Sequence, residues 1–172
     1  MALQLTIDVD GFERARGGLR RLRQAGEDLT PIMRSIAGQM ESHTVGHFDT
    51  ETAPDGRPWK PSLRARAEGG RTLTDAGRLR RSITSSATAD TASVGTNLVY
   101  AAIHQTGGQI RAKTKKGLVF RIGGAWVRKR EVTIPARPFI GLSTALQEDI
   151  EGIVVRRLDA AAGGGPSSGA GA

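Results

Sequence analysis

The chain has 172 residues, carries a formal net charge of +8, and is 38% hydrophobic with only 4% aromatic residues. This length supports one domain with a mainly aliphatic core, and it is too short for two such domains. With no cysteine, there can be no disulfide framework and no thiolate nucleophile. The sequence has no signal-peptide pattern and no apolar run near the ~20 residues of a membrane span, so we expect a soluble protein with no membrane partner.

Charge is distributed along the chain in blocks of opposite sign. Residues 11–23 are arginine-rich and 24–55 are acidic, whereas 56–81 and 111–130 are strongly basic, and the last block contains no acid. A subunit that packs head-to-tail against its own copies can use two complementary patches, whereas a nucleic-acid-binding domain concentrates one sign on one face. Both interpretations of the charge pattern stay open at this point.

The N-terminal part of the chain predicts a strand followed by a helix. Residues 3–9 alternate apolar with polar side chains, which is the period of a half-buried strand. Apolar residues follow at helical spacing over 12–22, but Gly17 and Gly18 each cost a helix roughly 1 kcal/mol relative to Ala. The sequence therefore leaves open whether this helix breaks at the two glycines.

A second helix is predicted from Thr30 to about Phe48, with Thr30 as the capping residue and Pro31 in the first helical position. The proline-rich loop 54–61 ends it, because proline lacks the amide hydrogen that a helix needs. Trp59 lies between two prolines of this loop, where a large aromatic more often pins the loop to the domain than contacts a ligand. We therefore expect Trp59 to hold this loop in place.

The middle of the chain predicts short elements. Residues 63–83 favour a partly helical connection that ends in a short helix capped near Thr74. Residues 84–96 are rich in small and β-branched side chains, which favours two strands joined near 89–91.

A further helix is predicted to begin at Thr96 or Asn97, with Val99 on its buried side, and to end at Gly107. His104 lies in its last turn, where an imidazole can hydrogen-bond to unpaired carbonyl groups. We therefore expect structural roles for both His104 and Gly107.

The last third of the chain predicts a hairpin over 117–134, turning at Gly123-Gly124, and then a C-terminal helix. The helix begins near residue 143 or 144, where Thr144 and Gln147 have the spacing of a capping box.

The domain organisation follows from these elements. Residues 1–159 form a single domain, and residues 160–172 form a flexible tail rich in Gly, Ser and Ala. The predicted fold class is α+β, with a small mixed sheet and a long β-hairpin packed against two or three helices.

No constellation of residues supports catalysis, a metal or a cofactor. His43 and His47 have the spacing of paired metal ligands, but Thr44 stands where a metalloprotease carries glutamate, and no third ligand is evident. The sequence has no nucleophile elbow, P-loop or dinucleotide fingerprint. We therefore expect no catalytic residue, no metal, no cofactor and no enzymatic activity.

Contact with nucleic acid is the strongest alternative that the charge suggests. Residues 111–130 combine many basic side chains with Phe120 and Trp126, which makes phosphate contact chemically easy. No helix-turn-helix, zinc-finger or RNP signature accompanies them, so any DNA contact should be non-specific and salt-sensitive. The basic candidates for contact with DNA or with an adjacent protein are Arg111, Lys113, Lys115, Lys116, Arg128, Lys129 and Arg130.

Four segments of the chain occur in a characteristic order. After Phe48 they are "PDGRPWKP" (54–61), "LTDAGRLRRSI" (73–83), "VGTNLVYAAIHQTGG" (94–108) and "IPARPFIGLS" (134–143). Together they resemble the phage virion morphogenesis family, also called tail completion proteins, of Mu-like and related tailed phages.

The resemblance implies a structural, non-enzymatic virion protein of the tail and neck that is assembled in the host cytoplasm. Proteins of this kind form rings, typically hexamers, that complete or terminate the tail tube and join it to the head connector while DNA passes through the lumen. The implied partners are copies of this chain, the tail tube protein, neck and head-connector proteins, and packaged DNA through non-specific contact.

Within that implied ring, the candidates for subunit or partner contacts are Trp59, Arg137 and Phe139, with Arg137 held between two prolines for a directed salt bridge. The basic residues of 111–130 would face DNA in the lumen or contact an adjacent ring. The alternative function is a basic, non-sequence-specific nucleic-acid-binding protein.

Overall fold

Two long helices and three small sheets dominate the computed structural model, which describes residues 3–8 and 15–163. The helices are α1 (Arg16–Gln24), α2 (Thr30–Thr50), α3 (Leu63–Glu68), α4 (Arg78–Arg81), α5 (Ala101–Thr106) and α6 (Thr144–Gly163), and the strands are β1 (Leu3–Asp8), β2 (Thr84–Ala87), β3 (Thr91–Thr96), β4 (Gly108–Arg111), β5 (Leu118–Ile122), β6 (Ala125–Lys129) and β7 (Glu131–Ile134).

The α+β class is confirmed. All the described strand pairs are antiparallel, so three small sheets stand where a single mixed sheet was expected. None of the described helices is long and apolar enough to cross a bilayer.

The largest sheet has the strand order β1-β3-β2, so β3 is paired on both sides. The β2–β3 hairpin turns between Ala87 and Thr91, in the region that the sequence predicts. Ala92 and Val94 of β3 belong to the core, whereas Ser93 points to the other face. There its hydroxyl lies 3.0 Å from the hydroxyl of Thr6 on β1 and forms a cross-strand hydrogen bond.

The core is assembled around α2, which contacts the sheet and α6. Its buried side chains recur at helical spacing and are Ile32, Met33, Ile36, Ala37, Met40, Thr44 and Phe48. Helix α6 presents Leu146, Ile150 and Val154 to the same core. At the surface, Nε2 of His43 lies 2.7 Å from Asp149, which joins α2 to α6 a second time.

Two predicted helix caps are wrong. The amide of Thr30 donates to the side chain of Asp28 at 2.9 Å, so Asp28 rather than Thr30 supplies the polar contact at the start of α2. This hydrogen bonding lowers the pKa of the Asp28 carboxyl. Helix α4 begins after Gly77, whose φ of 70° sets the entry without a side-chain cap, and Thr74 instead forms a bridge with Arg71.

The start of α6 also differs from the predicted capping box. The hydroxyl of Ser143 accepts a hydrogen bond from the amide of Leu146 at 3.1 Å, so Ser143 is the cap. The helix extends to Gly163, past the predicted boundary between domain and tail. The rest of the predicted tail, and residues 9–14 of the predicted strand and helix, lie outside the described residues.

Residues 108–134, which we call the arm, stand apart from the core. Strands β5 and β6 form a hairpin at Gly123-Gly124 as predicted, but β7 turns back to pair with β4, so the expected long hairpin is two successive ladders. Among the described residues, no arm residue belongs to the buried core or packs partly against it. The arm therefore has little support from its own subunit.

Helix α1 continues through Gly17 and Gly18, and one of these two glycines is required by the packing of α1 on α6. A Cβ on Gly18 would lie 2.6 Å from Cγ1 of Val154 and 2.9 Å from Cδ1 of Leu158, whereas a Cβ on Gly17 would meet nothing within 4 Å. The absence of a side chain at Gly18 thus lets α1 lie directly on α6.

Replacing Gly18 with Ala should lower the free energy of unfolding by about 1–3 kcal/mol, because the new methyl overlaps a β-branched side chain with little rotamer freedom in a helix. The matched Gly17→Ala variant gains helix propensity without a clash and should be stabilised by up to about 1 kcal/mol. Urea unfolding measures the free energy of unfolding of both variants. Equal stability of the two variants would contradict the close packing of α1 on α6.

Candidate assembly interface

Helix α5 is shorter at its start than the sequence predicts. It begins at Ala101 without a side-chain cap, while the hydroxyl of Thr96 accepts a hydrogen bond from the amide of Leu98 at 3.2 Å. Val99, expected on the buried side, precedes the helix and is 77% exposed. Because of the polar turn at Thr96, the helix begins about one turn later in the chain than the sequence predicts.

The end of α5 lies against the segment 134–140. Helix α5 ends at Gly107, which has a φ of 71°, and a Cβ there would lie 2.7 Å from the backbone nitrogen of Ala136. The backbone amide of Arg137 donates to the carbonyl of His104 at 2.7 Å. Gly107 therefore lies where only glycine fits, because the two backbones approach too closely for a side chain.

Gln105 fixes the same segment through its side-chain amide. Its Oε1 accepts hydrogen bonds from the amides of Phe139 and Ile140 at 3.0 and 3.2 Å, and its Nε2 donates to the carbonyl of Ile140 at 2.7 Å. Sequence reasoning missed Gln105, because a glutamine near a polar helix end carries no pattern that distinguishes it from a solvated one.

The proline-rich loop holds the segment from the other side. The indole Nε1 of Trp59 donates to the carbonyl of Pro138 at 2.8 Å, and Nε of Arg137 donates to the carbonyl of Lys60 at 2.7 Å. Each chain segment thus supplies one side-chain donor and one backbone acceptor to the other.

Three aromatic rings pack behind these hydrogen bonds. Phe48 meets Trp59 edge to face at a centroid distance of 5.5 Å, and it meets Phe139 at 5.2 Å. Contacts of this kind add roughly 0.5–1.5 kcal/mol per pair beyond area burial. We call the arrangement of Phe48, Trp59, Gln105, Arg137 and Phe139 the clamp.

The structure places the three predicted contact residues inside the subunit. Trp59 and Arg137 are each 5% exposed and Phe139 is fully buried. Trp59 and Phe139 therefore do not offer their side chains to a neighbour, because a chain with so few aromatics uses these rings in its own core. Arg137 differs from them, since it lines a surface cavity.

His104 does not make the ring hydrogen bond that its position predicted. Its Nδ1 is buried without a hydrogen-bond partner among the described residues, whereas its backbone carbonyl accepts a hydrogen bond from the amide of Arg137 and its ring meets Tyr100 edge to face. Burial, and then the nearby charge of Arg137, lower the pKa of His104, so the imidazole is neutral at neutral pH. Burial and the neighbouring His43 lower the pKa of His47 as well.

The arm presents all seven basic candidate residues at the surface. Of these, Arg111 lies 3.1 Å from Glu131 across the β4–β7 ladder. The β5–β6 register places Val119 opposite Arg128 and Arg121 opposite Trp126, so one face of the hairpin alternates apolar and cationic groups.

The hairpin touches its own subunit at α3. There the amide of Gly123 donates to the carboxylate of Glu68 at 2.8 Å. Val119 and Trp126 are 52% and 75% exposed. In the isolated subunit this apolar and cationic face is uncovered.

Residues 3–8 and 15–163 contain no group of three or more His, Asp or Glu side chains that could hold a metal ion. His43, one of the two histidines at metal-ligand spacing, is hydrogen-bonded to Asp149.

Replacing Gln105 with Met should lower the free energy of unfolding by about 2–4 kcal/mol, because two backbone amides and one carbonyl lose their partner in a partly buried site. The matched Gln24→Met variant changes an exposed residue at the end of α1 and should stay within about 0.5 kcal/mol of the parent. Chemical denaturation tests both, and parental stability of Gln105→Met would show that the clamp does not depend on this amide.

Stability should fall on mild acidification. Because the folded-state pKa values of His47 and His104 lie below the unfolded value of 6.5, the unfolded state binds more protons as pH drops from about 7 to about 5, and unfolding becomes more favourable. Thermal melting should record this as a loss of roughly 2–4 °C in Tm per kcal/mol. His104→Gln and His47→Gln should each flatten the profile, and an unchanged slope in both variants would contradict the neutral buried state.

The clamp joins Phe48 and three of the four segments on which the sequence resemblance rests, and comparison with known proteins agrees with that resemblance. Residues 10–159 match the model of the phage virion morphogenesis family. The chain is 39% identical over 146 residues to "Mu-like prophage FluMu G protein 2" of Haemophilus influenzae, covering 85% of this chain and 90% of that protein. It is 28% identical over 176 residues to "Putative capsid assembly protein G" of Escherichia phage Mu, covering 94% and 98% respectively. No solved structure matches the chain. The chain therefore belongs to the phage virion morphogenesis family and has a structural or assembly role in a phage virion.

Proposed function

We propose that the protein completes or terminates the tail of a tailed phage, as a ring of copies, typically six, at the neck end of the tail tube. The observation that carries this proposal is the arm, which contributes nothing to the core of its own subunit. A two-stranded ladder is only marginally stable alone. An arm of two such ladders that exposes 75% of Trp126 gains support when a neighbouring subunit covers it.

Charge on the arm supports a head-to-tail contact between copies. The arm holds eight basic residues against the single acid Glu131. On α6, Glu148 and Asp159 are exposed and form no ion pair with the described residues. A basic patch on one subunit that meets acidic side chains on the next forms a heterologous interface, and such an interface generates a ring when the rotation between subunits closes.

A ring in this position has two faces and a lumen. One face would cover the last ring of the tail tube protein and stop its polymerisation, and the other would receive neck and head-connector proteins. Packaged DNA would pass through the lumen with non-specific contacts only. A protein at this junction adjoins both head and tail, which is compatible with the capsid-assembly name of the relative from phage Mu.

One observation favours non-sequence-specific nucleic-acid binding as the second candidate function. The exposed hairpin face places Trp126 beside Arg121 and Arg128, which suits base stacking combined with phosphate contact. We favour the protein contact because a tail ring must let DNA slide through during ejection, whereas tight stacking would retain it.

Replacing residues 113–129 with Asn-Gly tests the arm. The amide of Ala112 bonds to the carbonyl of Arg130 at 2.8 Å, so a two-residue turn can join β4 to β7 there. Because no core residue is removed, the Tm should change by no more than about 2–4 °C, the equivalent of about 1 kcal/mol. Light scattering and negative-stain imaging should show rings, or decorated tail ends when tubes are added, for the full chain but not for the truncated one.

A matched control replaces Lys113, Lys115 and Lys116 with Gln, which removes charge and keeps the hairpin. It should weaken assembly in a salt-dependent way without abolishing it. A full chain that stays monomeric, ignores tail tubes and binds duplex DNA tightly at physiological salt would overturn the tail proposal in favour of nucleic-acid binding.

A further inference from the structure

A surface cavity of about 320 Å³ beside the clamp has an excess of positive charge. Its lining includes three arginines and a single acid, namely Arg64, Arg78, Arg137 and Asp75. The Asp75 side chain is 81% exposed and lies 3.8 Å from Nε of Arg64. Among the described residues, neither Arg78 nor Arg137 forms an ion pair with a carboxylate.

Arg137 is the most deeply buried of these cations, at 5% exposed. Its side chain makes one hydrogen bond, from Nε to the carbonyl of Lys60 at 2.7 Å, while Nη1 and Nη2 bond to none of the described residues. A guanidinium stays charged throughout the ordinary pH range. Buried charges in proteins are normally paired, because an unpaired one loses hydration without compensation. Nη1 and Nη2 are not enclosed by the described residues, and Arg137 lines the cavity, so an anion from outside the chain can reach them.

Other groups in the cavity fit the same ligand. Nδ1 of His104 is buried without a partner in the described part of the chain, and Arg78 lies exposed on the cavity wall. Part of the cavity wall is apolar and consists of Leu73, Leu79 and Tyr100. Such a wall accommodates the methylene stem of an acidic side chain, which inorganic phosphate lacks.

We propose that this cavity is a carboxylate-binding site and that its ligand is an Asp or Glu side chain from a neighbouring protein subunit. The free Nη1 and Nη2 of Arg137 match the two oxygens of a carboxylate. Duplex phosphates are contacted more easily by the exposed cations of the arm than by a buried guanidinium in a concave site. The inference deepens the proposed function and rests on it for the identity of the partner, whereas the carboxylate chemistry can be measured in the isolated subunit.

The test uses blocked glutamate, N-acetyl-glutamate N-methylamide, as the probe at constant ionic strength. In a ¹⁵N-labelled full chain, the backbone amide of Arg137 and the ring of His104 should show saturable NMR shifts. Blocked glutamine, which has the same shape without the charge, should produce none. This readout does not require a ring, so a failed assembly assay would leave the cavity proposal standing.

Arg137→Gln should weaken probe binding by about tenfold or more, because a charged hydrogen-bond donor is lost. Should that variant fail to fold, Arg78→Gln changes only an exposed side chain and should weaken binding about two- to fivefold. Arg66→Gln, on α3 and outside the cavity, should bind the probe as the parent does.

Three results would overturn the proposal. The first is no saturable shift with blocked glutamate, and the second is an equal shift with blocked glutamine. The third is tighter binding of inorganic phosphate than of blocked glutamate, which would identify the cavity as a phosphate site instead.

Discussion

Two hydrogen bonds between distant segments are the constraint on which the rest of the structure depends. Trp59 donates to the carbonyl of Pro138, and Arg137 donates to the carbonyl of Lys60. Both segments lack regular secondary structure and are interrupted by prolines, which cannot donate to a β-ladder, so the two cannot pair as ordinary strands. Side-chain donors satisfy carbonyl groups that a sheet would otherwise satisfy. The fold thus joins two irregular segments that the main chain alone would leave apart.

The position of the arm follows from this constraint. Strand β4 leaves the end of α5 at Gly108, and β7 ends at Ile134, immediately before the clamped segment. The two ends of the arm, which we call its roots, are therefore attached to the clamp. One root follows Gln105 and the other precedes Arg137. The arm has no core contact of its own, so its direction relative to the subunit is set at these roots and by the hydrogen bond from Gly123 to Glu68 of α3. A structural protein that presents an arm to its neighbours needs such a base, because a loosely held arm loses more entropy on assembly.

The sequence predicted what local patterns determine and missed what distant contacts determine. Periodicity and prolines located α2 and its end, and Gly123-Gly124 located the hairpin turn, since these signals act within a few residues. The two flanking prolines indicated that Trp59 holds its loop against the domain, as the structure shows, but its partners could not be seen locally, because they are Phe48 and a carbonyl that is 79 residues away in the chain. The partners of Gln105 are similarly 34 and 35 residues away. The cap predictions failed for a smaller reason. Several neighbouring polar residues can each bond to the backbone at the start of α2 or α6, and α4 begins at a glycine without a side-chain cap.

In the proposed ring, Arg137 would connect the folding of the subunit with its assembly. Its bond to Lys60 requires only one donor, which a neutral amide side chain could supply, so the remaining charge is not needed to close the clamp. Burying that charge has a cost in the free subunit. A carboxylate from a neighbour would offset this cost, and the stabilisation would reach the loop 54–61 and the root of the arm through the same side chain. Subunit contact would then stiffen the base from which the arm extends, so that each docking event orders the surface needed for the next.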